Sequence, residues 1–161
     1  MAAFSNFAEN KLIDWFFRAQ AIGVTGATAA AGTGPATLWV GLMTTTPTDI
    51  AAGTEPTGGG YARQSVTSSL TAWSGTQGTN PTPDNTASSG TGGTTFNSTV
   101  ITFPSPTASA YSAPVTYAGV WDAVSGGNLL FYSILGSPKT VNQNDAAPSF
   151  PIGSLTFQLD N

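Results

Sequence analysis

The chain has 161 residues, about one domain's length, and a globule of that size buries roughly 70% of the surface its unfolded chain exposes. Only 7% of its residues are charged, against about 25% in an ordinary soluble domain, and the formal net charge is -4 with no cysteine and no histidine. Four scattered cations, Lys11, Arg18, Arg63 and Lys139, make no phosphate-binding patch and no anionic-lipid footprint, so the expectation is no direct nucleic acid and no membrane partner. Without cysteine there is no disulfide framework.

The first element is a helix within residues 1–22. Ser5 or Asn6 caps it, and Asn6 and Glu9 have the three-residue spacing of a capping box. Ala8, Leu12, Trp15, Phe16 and Ala19 recur at helical steps as an apolar stripe, with Asn10, Lys11, Asp14 and Arg18 elsewhere around the cylinder. Trp15-Phe16-Phe17 holds more aromatic surface than one helix face can hide. Phe4, Phe7, Trp15 and Phe17, with Phe16, are therefore the candidate interface to a neighbouring subunit.

An Ala/Gly/Thr linker leads to a strand at Thr37 to Thr45, where Leu38, Val40 and Leu42 alternate with Trp39, Gly41 and Met43. Thr46-Pro47 ends it, and a loop closed by Gly58-Gly59-Gly60 feeds a second strand over Tyr61 to Thr67, with a short continuation at Ser69 to Ser74. Residues 75–94, rich in glycine and threonine and nearly free of apolar residues, read as a long flexible loop, since little burial is available there to offset the entropy of ordering them. Strand alternation resumes at Thr95 to Phe103. Val115 to Leu135 reads as a hairpin about a turn at Asp122 to Asn128. Its second arm, Leu129 to Tyr132, is apolar on both faces, which calls for cover on both sides and a central position. Lys139 to Asn142 is a short edge strand, and Ser154 to Asp160 closes the fold with Leu155, Phe157 and Leu159 inward. About eight strands and one helix favour a mainly β fold, an antiparallel β-sandwich of jelly-roll type spanning 37–160, in a single domain 1–161.

The residues present leave little room for catalysis. Without histidine or cysteine the chain lacks the serine and cysteine triads and the usual zinc ligand sets. A glycosidase-type carboxylate pair would have to come from Glu9, Asp14, Asp49, Glu55, Asp84, Asp122, Asp145 and Asp160, which sit mainly in loops or on the helix and read as solvated turn-formers. No EF-hand spacing occurs, and Gly58-Gly59-Gly60 lacks the lysine and helix of a phosphate loop. The expectation is a protein with no enzyme activity, cofactor or metal. Arg63, on a strand in a chain so short of charge, is a candidate structural charge that pairs with Glu55 or bonds loop carbonyls. Met1-Ala2-Ala3-Phe4 carries no basic n-region and no run of about 18 apolar residues occurs, so the expectation is synthesis and folding in a cytoplasm.

Several segments carry a resemblance that no one of them would. They are Glu9-Asn10-Lys11-Leu12, Leu38-Trp39-Val40-Gly41-Leu42 running into Thr46-Pro47-Thr48-Asp49, Gly59-Gly60-Tyr61-Ala62-Arg63-Gln64, Ile101-Thr102-Phe103-Pro104, Val115 to Ala123, Gly126 to Leu130, Lys139 to Asn142 and Phe150 to Leu155. In order along most of the chain, these resemble small tailed-bacteriophage virion proteins of the head-decoration (cement) and tail-fibre-like group; residues 75–94 are longer than that pattern. The resemblance implies a structural virion protein, and the absence of repeats or a coiled-coil stem favours the cement role. The expectation is a homotrimer on the outer surface of the head that binds the major capsid protein and stabilises the shell. The alternative is a tail-fibre-associated or receptor-binding module.

Overall fold

The computed structural model describes residues 4–23, 34–78 and 85–159. In chain order the elements are α1 (Asn6–Arg18), β1 (Thr37–Met43), β2 (Gln64–Thr67), β3 (Thr94–Phe96), β4 (Ile101–Thr102), β5 (Val115–Trp121), β6 (Leu129–Lys139), β7 (Ser149–Phe150) and β8 (Thr156–Gln158). The protein is mainly β, with antiparallel ladders and one short helix. The chain divides into two compact units, 1–37 with 67–100 and 150–161, and 38–66 with 101–149.

In the first unit, Ser5 is the N-cap of α1, its Oγ accepting from the Ala8 N–H at 3.4 Å. That places Ala8, not Glu9, at the N3 position, so the Asn6 and Glu9 capping box does not form. The helix stops at Arg18 because Ala19 turns left-handed, with φ 53°, and the Gln20 N–H returns to the Asp14 carbonyl at 2.9 Å.

The buried face of α1 is Glu9, Ile13, Asp14, Phe17 and Arg18. This corrects the expected stripe, which is rotated by about one residue and leaves Leu12, Trp15 and Phe16 half-buried. The reason is the ion pair between Arg18 and Asp14, which lets two charged residues enter the interior together and carries Phe17 in with them. Phe17 meets Trp73 edge-on at 4.9 Å and stacks with Phe157 at 5.6 Å between centroids. These three rings form the unit's centre, beside the β3 and β8 ladder that pairs Thr95 with Phe157.

Ser69 to Ser74 forms a turn instead of a strand, and Trp73 makes an isolated antiparallel bridge to Asn97. Asn97 is fully buried and fully employed. Its amide donates to the carbonyls of Thr99 and Pro151, its Oδ1 accepts from Leu155 N–H, and its backbone bonds Leu155 and Gly153. A buried amide satisfied on every side fixes the path of the returning C-terminal segment.

The second unit is built on a four-stranded sheet ordered β2-β1-β5-β6, in which β1 and β5 are the inner strands. Leu38, Val40, Leu42, Ala118 and Val120 are buried on one face, as the period of two in β1 and β5 requires. On the opposite face Gly41 lies across from Gly119. A Cβ at Gly41 would come within 2.7 Å of the Trp121 ring, and one at Gly119 within 2.9 Å of it, so both glycines make room for the indole.

The hairpin of β5 and β6 forms around Asp122 to Asn128, but it is not central. β6 is an edge strand, largely half-buried or exposed, with Phe131 only half-buried. Apolar character on both faces of Leu129 to Tyr132 therefore reports an uncovered surface. The expected strand at Lys139 to Asn142 is the last residue of β6 followed by coil, and the stretch from Thr95 to Phe103 splits into β3 and β4.

Candidate functional site

Each unit is held by one buried arginine, and these two constellations are the most developed polar chemistry among the described residues. In the second unit Arg63 forks onto Glu55, with Nε to Oε1 at 3.0 Å and Nη2 to Oε2 at 2.8 Å. Its Nη1 donates to the carbonyls of Ala123 and Gly126 at 2.7 and 2.8 Å, and its guanidinium lies 4.1 Å over the Trp121 ring. The planar fork suits this work: one side chain reads a carboxylate bidentately, stacks on an indole and anchors two carbonyls. The carbonyls belong to the hairpin turn, whose Gly126 and Gly127 take positive φ and whose Asp122 accepts from Asn128 N–H and Nδ2, both at 2.7 Å. Those two bonds hold the Asp122 carboxyl below its usual range.

Tyr61 closes the cluster. Its hydroxyl donates to Glu55 Oε1 at 2.6 Å and accepts from the Leu42 N–H at 2.9 Å, while its ring stacks on Phe103 at 6.1 Å and meets Tyr111 edge-on at 5.7 Å. Burial, and then the bond to the Glu55 carboxylate, push the Tyr61 phenol well above its ordinary range. The phenol thus keeps its proton and its bond to a carboxylate that Arg63 also holds.

In the first unit Arg18 donates to Asp14 Oδ1 at 2.7 Å, to Ser88 Oγ at 3.2 Å and to the Thr86 carbonyl at 2.8 Å. Asp14 also accepts from Ser88, at 2.9 Å from its N–H and 2.6 Å from its hydroxyl. One turn earlier, Asn10 accepts from Thr76 Oγ1 at 2.6 Å and donates to the Gly90 carbonyl at 3.1 Å. The polar face of α1 thus ties down residues 76 and 86–90, although burial is scarce there, and residues 79–84 of the expected flexible loop lie outside the described residues.

The candidate interface residues separate. Phe17 is buried in the first unit's centre and offers nothing to a partner, which corrects its inclusion. Trp15 is half-buried against Phe16 at 4.5 Å, edge to face. Phe4 and Phe7 are exposed at the start of α1, with Lys11 Nζ 5.8 Å from the Phe7 ring centroid. Of the acids considered for catalysis, Glu9 and Asp14 are buried in the first unit and Glu55 is held by Arg63. Asp122 and Asp145 bond their own turns, and Asp84 and Asp160 lie outside the described residues. Among the described residues no three acidic, histidine or cysteine side chains gather where a metal ion could be held, and no helix is long and apolar enough to cross a membrane.

In each unit the buried arginine and its carboxylate are used to fix a turn or a loop. The family described as podophage GP4 fiber I protein gp80 matches residues 3–158, nearly the whole chain. The chain belongs to this family, and it is a small tailed-phage virion protein of the tail-fibre-like group. No curated protein matches the chain.

Proposed function

We propose that this protein is a structural, non-enzymatic module of a fibre or fibre-associated appendage on a podophage virion. The match over residues 3–158 to a family described as a fibre protein carries the reading. The buried charge clusters support it: they serve rigidity, which an appendage subunit needs. It replaces the head-decoration role expected from the residues, in which a homotrimer on the outer head surface binds the major capsid protein. That role rested on the lack of repeats and of a coiled-coil stem, and a small subunit of an assembled appendage needs neither. A jelly-roll sandwich is part of the same proposal, supported by the sequence-distant β1 and β5 lying side by side.

Phage particles assembled without this chain test the proposal. The appendage reading predicts DNA-filled heads of ordinary resistance to heat and chelator, with a loss of tail-side fibres and of adsorption. Fragile heads with normal adsorption would restore the decoration role.

A further inference from the structure

The surface that the fold leaves unfinished is the outer edge of β6. At eleven residues this strand is the longest among the described residues, and it lies at the end of the four-stranded sheet, with β5 as its neighbour there. Natural edge strands are guarded by charge, proline, brevity or bulges. Here no charge occurs from Leu129 to Pro138, and the guards are partial. The register with β5 slips at Leu130 and again after Ile134, which leaves regular rungs from Phe131 to Ile134.

Apolar exposure in this unit concentrates on the same strand. Among the described residues, the large apolar side chains that the second unit exposes are Ile50, Val124, Tyr132 and Ile134. Tyr132 and Ile134 are on β6, at 41% and 68% exposure. Val124 is in the turn that leads into it, and Ile50 lines a cleft of about 250 Å³ that also has Leu129 in its wall. Single exposed apolar residues are ordinary, but two on one edge strand, with a third in the turn that leads into it, mark an interaction site.

We propose that β6 is a self-association edge, pairing antiparallel with β6 of a second copy of this chain about a two-fold axis. Charge chooses both the occupant and the direction. The start of the strand is acidic, with Asp122 in the adjoining turn and Asp49 beside Leu129 in the same cleft, and its end is basic at Lys139. An antiparallel copy brings each Lys139 toward the acidic end of its partner, whereas a parallel copy would set lysine beside lysine and acid beside acid. A two-fold pairing is also self-complementary: the rung from Phe131 to Ile134 of the partner is repeated with the roles exchanged. The uncharged middle of the strand lets two bodies of net charge -4 approach there without repulsion.

Sedimentation of the full-length chain over a concentration series tests this, with Ile134→Lys and Lys139→Glu as variants. Ile134 is exposed, so the first variant keeps its melting temperature while adding charge to the edge. The wild type is expected to dimerise reversibly, and Ile134→Lys to weaken the dimer at least about tenfold. Lys139→Glu is expected to weaken it less, and adding Asp49→Lys to that variant to restore it. A wild type that stays monomeric, an odd stoichiometry, or an oligomer indifferent to Ile134→Lys overturns the proposal.

Discussion

The two units solve the same problem with opposite geometries. Each buries an arginine, in a chain that has only four cations. Arg18 pairs within its own helix, with Asp14 four residues earlier, and the pair together grips a loop 70 residues away in sequence through Thr86 and Ser88. Arg63 pairs across a loop with Glu55, leans on Trp121 and holds the turn of the neighbouring hairpin. In the first unit the ion pair is sealed, with both side chains at 4% exposure or less. In the second the Glu55 side chain is 28% exposed. A sealed pair cannot lose one partner without stranding the other, while a carboxylate near water can be rehydrated. The first unit is therefore the more brittle of the two under charge deletion.

That contrast can be broken experimentally, and the largest effect belongs to Arg18. Arg18→Ala leaves Asp14 buried and is expected to cost about 3 to 5 kcal/mol of stability, read by denaturant midpoint at unchanged slope. Arg63→Ala is expected to cost less, about 2 to 3 kcal/mol, because Glu55 can turn toward solvent. An equal or larger loss than at Arg18 would reverse the ranking of the two clusters.

Alkaline pH addresses the second unit alone. Tyr61 has its phenol pKa raised in the folded protein, so the folded state keeps a proton that the unfolded chain gives up at about pH 10. Its contribution is fully present below that pH and is lost as pH rises above it. Tyr61 is expected to add a slope of about 1.4 kcal/mol per pH unit, and Tyr61→Phe to remove that part and leave the part due to Tyr111, whose phenol is also raised by burial, measured by unfolding at stepped pH. The smallest effect is at the sheet edge: Phe131→Ala is expected to cost only about 1 to 2 kcal/mol, well under the 3 to 5 of a core phenylalanine such as Phe17. A loss at Phe131 as large as at Phe17 would mean that the Phe131 ring is part of the second unit's core.

What the residues disclosed follows from how unambiguous their local physics is. β1 and β5 were legible because a period of two fixes the buried face once Leu38, Val40 and Leu42 are aligned. Arg63 stood out as a charge on a strand in a chain nearly without charge, and both partners considered for it, Glu55 and loop carbonyls, are present in the structure. β6 was misplaced because apolarity on both faces has two meanings, a central strand or an edge awaiting a partner, and local pattern cannot separate them. The helix face was misread because an Asp and an Arg four residues apart ordinarily ride in water, and nothing local signals the Ser88 and Thr86 that receive them. Asn97 was invisible for the same reason: one asparagine among serines and threonines looks like a turn, and only the returning Pro151 to Leu155 segment makes it a hub.

The proposed function puts this protein in an appendage of the virion and not in its shell. An electron cryo-microscopy reconstruction of intact particles, into which this chain is fitted, tests that most directly. Density for the chain is expected in a fibre or at its attachment on the tail side; density confined to the outer surface of the head, at junctions between capsid subunits, would overturn the appendage role.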